Sequence, residues 1–200
     1  MVRRVASFTN RWLAFLCVAA LGCAVPASAA PADPALPAKL VPEDATPYLR
    51  THALGTQNYV CLATGSGLAW RFVGPQATLF VRLFSVEQQV TTHFLSHNPE
   101  EGDLVRATWQ ASFDSSRVWA RATQTVDDAA IIGAGNIPWL LLQRAGSSRG
   151  PAGGSLLSQA TWVQRIHTVG GVAPATGCSQ STDVGALALV PYSTEYVFFH

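Results

Sequence analysis

Gln57, His93, Trp109, Asp114, Gln164 and Arg165 are the side chains of this sequence whose types could do chemistry. A histidine titrates near neutral pH and a carboxyl group exchanges protons beside it, so His93 and Asp114 are the candidates for acid–base catalysis. Gln57, His93, Trp109, Gln164 and Arg165 supply amide, imidazole, indole and guanidinium groups suited to holding an oxygen-bearing ligand. The Gln164-Arg165 pair is the sharpest of these signals. It interrupts an apolar, β-prone run from Trp162 to Val169, and a Gly170-Gly171 turn follows it. In a strand, Trp162, Gln164, Ile166 and Thr168 share one face, while Val163, Arg165, His167 and Val169 share the other. One of the pair must therefore point inward, where a polar head needs a partner. Arg165 either locks strand register through a carboxylate or receives an anionic or sugar ligand.

Other chemistries are not supported by spacing. Ile131-Ile132-Gly133-Ala134-Gly135-Asn136 begins like a dinucleotide fingerprint, but Pro138 falls at the third glycine and no βαβ spacing surrounds it. No nicotinamide, and no other cofactor, is implied. His93 and His97 lie four apart and can share a face, but nothing fixes a third ligand, so no metal site is assigned. Ser115 and Ser116 follow Asp114 without a nucleophile elbow and read as turn chemistry. Glu87, Asp103, Asp114, Asp127 and Asp128 contain no carboxylate pair that sequence alone can bring together for glycoside hydrolysis.

The elements that must position these groups are strands. Short runs rich in Val, Phe, Tyr, Trp and Thr recur at 57–63, 68–73, 77–84, 89–95, 105–110 and 118–122, with Gly, Pro, Ser or Asn between them. Further runs cover 129–132, 137–142, 156–169, 186–190 and 192–199, and 143–155 reads as a flexible loop. The 137–142 run suits either a buried strand or a helical turn. Many short strands predict an all-β, single-domain antiparallel sandwich or barrel over residues 48–200. Tyr196-Val197-Phe198-Phe199 fits the last strand of such a sheet. An outer-membrane barrel needs about nine to eleven alternating residues per strand, more than these runs offer.

The N-terminus reads as an export signal over residues 1–29. Arg3, Arg4 and Arg11 precede an apolar core from Trp12 to Val25, and Ala27-Ser28-Ala29 supplies the cleavage pattern. Leu21-Gly22-Cys23 is a weaker, competing lipid-anchoring signal. Residues 30–47, with five prolines, form an extended arm rather than a packed element. The whole chain has 13 basic and 12 acidic groups; without the leader's three arginines the count is 10 against 12, net near −2. Such a chain offers no basic stripe for nucleic acid, and its mature part has no transmembrane helix. Cys61 and Cys178 remain after cleavage, and a disulfide between them in a secreted or periplasmic protein would close a loop of well over a hundred residues.

Gly55-Thr56-Gln57-Asn58-Tyr59-Val60-Cys61, Thr108-Trp109, Ile137-Pro138-Trp139-Leu140-Leu141, Gln164-Arg165, Thr168 to Pro174, Gly177-Cys178 and Val190-Pro191-Tyr192 occur in that order. This ordered set resembles a family of secreted bacterial and fungal proteins classed only as a domain of unknown function. Its fungal relatives are labelled appressorium-specific or sporulation-associated surface proteins. The resemblance implies secretion and a β-rich fold, and no established reaction. Some members carry a malate dehydrogenase label, which the broken fingerprint does not support. The family often has Gly-Pro-Thr-Trp soon after a histidine; here residues 95–106 intervene, and Ala107 stands where proline is expected. Ser115 replaces a usual turn glycine. The expectation is a secreted β-protein that binds a neutral or weakly anionic ligand, a glycan or another small molecule, at the cell envelope or surface. Alternatives are a hydrolase of cell-wall glycan or ester, and a structural envelope protein.

Overall fold

Alternating apolar and polar residues become strands because each strand turns one row of side chains toward the core. In the computed structural model, which describes residues 36–200, there are eight. They are β1 (Pro47–Thr64), β2 (Gly67–Leu83), β3 (Val86–Asn98), β4 (Leu104–Ala111), β5 (Arg117–Val126), β6 (Trp139–Ser148), β7 (Trp162–Gly170) and β8 (Leu187–Phe199). Each pairs antiparallel with its sequence neighbour and β8 pairs with β1, so the all-β fold is a closed barrel rather than a sandwich. Closure satisfies the strand edges that an open sheet would expose. The expected leader, Cys23 and the first residues of the arm lie outside the described residues.

Two apolar clusters occupy the two sides of the wall. The interior one includes Ala53, Leu79, Trp109, Val118, Val163 and Phe198, with Leu157 and Ala160 from the β6–β7 loop packed into it. The exterior one gathers Val126, Ile132, Trp139, Leu141, Ile166 and Val197 around Leu40. Leu40 is fully buried and ends a single 3-10 turn, Ala38–Leu40. This part of the arm is therefore packed, because a leucine laid over Trp139 and Ile166 removes apolar surface from water. Cys61 and Cys178 form the expected disulfide, Cα–Cα 5.5 Å across a separation of 117 residues.

Several local expectations change. Residues 143–148 are strand, not loop: β6 continues its ladder with β5 from Arg144↔Ala120 to Ser148↔Arg117. Ala129–Ile132 is a helical turn, not a strand, because the Asp128 carboxylate accepts from Ala130 N and Gly133 ends the turn at φ 81°. Strand β1 runs for 18 residues and β2 for 17, so short strands are not what separates this chain from a membrane barrel. The apolar cluster filling the interior is a stronger distinction, since membrane barrels keep a polar lumen. Among the described residues no helix is long and apolar enough to cross a membrane. Finally, β7 carries a bulge between Ile166 and Val169, with His167 at φ 52°. The bulge breaks the alternation: His167 packs on Trp139, whereas Thr168 is buried and donates to Ile137 O at 2.5 Å.

Candidate functional site

One end of the barrel interior is not filled by the core. A cavity of about 520 Å³ lies there, walled by Leu95, Ile137, Leu140 and Leu142 and floored by Gln57, His93, Trp109 and Tyr196. Its volume falls within the range of small-molecule sites. Strand register brings the floor together. His93 on β3 is the direct partner of Trp109 on β4, and Arg165 on β7 is the direct partner of Tyr196 on β8. Gln57 enters from β1 opposite Pro75 of β2, next to a bulge in which Asn58 and Tyr59 pair with Gly74 and Phe72, and Val73 is the extra residue. Gly171 is required beside it. Its φ is +83°, and a Cβ there would lie 3.0 Å from both Gln57 Cγ and Tyr192 Cβ.

The imidazole of His93 stacks on the indole of Trp109, ring centroids 4.2 Å apart and planes at 8°. Its Nδ1 lies 2.9 Å from the carbonyl of Thr108, so the neutral ring donates there and Nε2 is left as an acceptor without a protein partner among the described residues. Burial pushes His93 down to about 3, aided by the nearby Arg165 charge and opposed by the Thr108 hydrogen bond. It is a neutral acceptor at physiological pH, not a proton donor.

Arg165 points into the cavity. Its Nε and one Nη both donate to the carbonyl of Pro138, at 3.1 and 2.8 Å. Among the described residues it meets no carboxylate, so the register lock through an ion pair does not form. Three of its five N–H groups are left over. Around it sit four buried polar atoms without hydrogen-bond partners: Gln57 Nε2, Trp109 Nε1, Tyr192 Oη and Tyr196 Oη. Both tyrosines are pushed up, chiefly by burial, and therefore keep their protons. The Tyr192 hydroxyl approaches Tyr196 and Gln57, and the Tyr196 hydroxyl approaches Arg165, closely enough to perturb both phenols, but none of these contacts closes to full hydrogen-bond geometry.

The remaining candidates lie elsewhere. Gln164 faces the opposite side of β7 and donates to Leu40 O at 2.7 Å, which ties the arm to the barrel. Asp114 does not line the cavity; it accepts from Ser116 N, Ser116 Oγ and Leu156 N at 2.7–2.9 Å. These bonds outweigh partial burial and hold its carboxyl below the usual range. Gly154 packs against that carboxylate, where a Cβ would come within 2.3 Å of Asp114 Cβ. Asp114 is thus a staple between the β4–β5 turn and the β6–β7 loop, and it does not converge with His93. From the 95–106 segment, Leu95, Val105 and Arg106 do reach the cavity wall. Arg106 is held by Glu101 through two hydrogen bonds of 2.7 and 2.8 Å.

A family model described as a protein of unknown function, DUF3455, matches residues 42–200. The chain belongs to this family. No curated protein and no solved structure matches it. The matched region of the DUF3455 chain contains every strand of the barrel and every cavity residue named above. Sequence reasoning misses Tyr192, which lies against Tyr196, and Tyr196 and Arg121, which line the DUF3455 site. The first two had a signal: Tyr192, Thr194, Tyr196 and Phe198 repeat at period two, which places polar-tipped aromatics on the inward row of β8.

Proposed function

We propose that this DUF3455 barrel is an exported binding protein whose cavity holds a small neutral or weakly anionic organic molecule at the cell envelope or outside the cell. The observation that carries this reading is the gathering of Gln57 Nε2, Trp109 Nε1, Tyr192 Oη and Tyr196 Oη, all buried and unpartnered, beside a guanidinium with no carboxylate. A buried polar group without a partner is destabilising by about 1–3 kcal/mol. Three of these residues, Gln57, Trp109 and Tyr196, line one cavity, with Tyr192 beside Tyr196, and they are therefore better understood as groups set for a ligand than as defects of a fold. The leader pattern and the Cys61–Cys178 disulfide support an oxidising compartment. Binding without catalysis is the better-supported reading because Asp114 is held in its loop and, among the described residues, no Asp or Glu lines the cavity.

The test is an NMR titration of the labelled, oxidised protein against a fragment collection of mixed charge. Hits are expected to shift the Trp109 indole N–H, the His93 ring and the Arg165 side chain together. Hits that map only to the outer face, or none at millimolar concentration, would overturn the proposal.

A further inference from the structure

Counting donors and acceptors narrows the ligand class. Among the described residues, the cavity wall contains no Asp, Glu, Asn, Ser or Thr side chain. Its unpartnered polar groups lean toward donors: the remaining N–H groups of Arg165, the Gln57 amide nitrogen and the Trp109 indole N–H, with the Tyr196 hydroxyl able to donate or accept. The side-chain acceptors are fewer: His93 Nε2, Gln57 Oε1 and the hydroxyl oxygens of Tyr59 and Tyr196. A glycan presents many hydroxyl protons that need acceptors, and sites for such ligands require carboxylates and amides in number. Here a polyol would leave its own donors unpaired, at the loss that any buried unpaired group entails. A carboxylate has the complementary character, since both oxygens only accept.

Charge and shape agree with this. Three arginines line the cavity. Arg106 is neutralised by Glu101, whereas Arg121 lies exposed, with a 3.5 Å contact to Gln143 and the Glu101 carboxylate nearby. Arg165 alone stands deep in the cavity as an unneutralised cation. The rest of the wall is apolar: Phe72, Leu95, Val105, Ile137, Leu140 and Leu142.

We infer that the ligand is an amphiphilic monocarboxylate, such as a medium-chain fatty acid or an aromatic acid, with its carboxylate on Arg165 and its apolar body against the leucine-rich wall. This rests on the binding-cavity reading above and goes further by fixing the headgroup. Guanidinium–carboxylate pairing in a water-poor site gives charge-assisted, directional hydrogen bonds that a neutral amide cannot replace.

The experiment is isothermal titration calorimetry of the oxidised protein with octanoate, 3-phenylpropanoate, octanamide and a chitooligosaccharide. Octanoate, 3-phenylpropanoate or both should bind, and octanoate should bind on the order of ten- to a hundredfold more tightly than octanamide. Arg165→Met should remove that ratio, and Arg165→Lys should restore part of it. Because the octanoate–octanamide comparison uses the unaltered protein, it remains decisive if a variant fails to fold. Octanamide binding as tightly as octanoate would overturn the carboxylate assignment while leaving a binding cavity in place. Oligosaccharide binding in the cavity would overturn it as well. If no probe binds and no cavity resonance moves, both the assignment and the binding reading fail.

Discussion

Measuring the unfolding free energy in urea at a series of pH values, for the native sequence and for His93→Gln, isolates the state of the cavity floor. Burial against Trp109 holds the folded imidazole at about 3, whereas the ordinary value is 6.5. Well above pH 6.5 the ring is neutral in both folded and unfolded chains and contributes no pH dependence. Below it the unfolded chain binds a proton that the folded one refuses, so stability falls as pH falls, with a limiting slope of about 1.4 kcal/mol per pH unit. Between about pH 7 and pH 5 the loss should be about 2 kcal/mol. This window lies above the range in which the lowered carboxyls of Asp114 and Glu101 add their own losses. Glutamine can still donate to Thr108 O but cannot titrate, so His93→Gln should be less stable at neutral pH and flatter with acidification by that same amount. The urea midpoint and slope, read by circular dichroism with the disulfide intact, give the number directly. Parallel curves for the two proteins would refute the argument, since they would mean that His93 titrates as freely folded as unfolded.

Two further outcomes follow from contacts away from the cavity. Asp114→Ala removes two hydrogen bonds from Ser116 within the β4–β5 turn and one from Leu156 N that joins this turn to the β6–β7 loop. It should lower stability by about 2–3 kcal/mol in urea denaturation while leaving cavity affinity unchanged; a large loss of binding would instead place Asp114 in the site. Replacing both Cys61 and Cys178 by Ser opens a loop of separation 117. The chain-entropy model puts the resulting loss at about 4–5 kcal/mol, measurable against the oxidised parent, and an unchanged midpoint would contradict it.

The parts of this fold that are legible in the sequence are those set by neighbouring residues. Period-two runs mark most strands, because one face of each must be apolar. Two cysteines left in an exported chain mark the disulfide. What the sequence cannot carry is set by contacts between distant segments. Closure into a barrel depends on β8 meeting β1, as in Gly55↔Tyr192, and no local pattern encodes that pairing. The glycine and serines of 144–148 look like loop residues, yet β5 supplies a ladder that makes them strand. His167 shows how one residue of bulge defeats face counting in β7. Period two divides the Gln164-Arg165 pair between two faces, but the amide is buried under an arm whose leucine has no periodic signal. Above all, the unpartnered state of Tyr196 is a property of its three-dimensional neighbours and is invisible in residue type.

The most direct test is the equilibrium unfolding of Tyr196→Phe with no ligand added. If the hydroxyl is kept for a guest molecule, deleting a buried group that makes no full hydrogen bond, only close approaches to Tyr192 and Arg165, should leave the protein equally stable or more stable by up to about 1 kcal/mol. A variant that unfolds more than about 1 kcal/mol more easily would contradict this, because the hydroxyl would then be serving the fold.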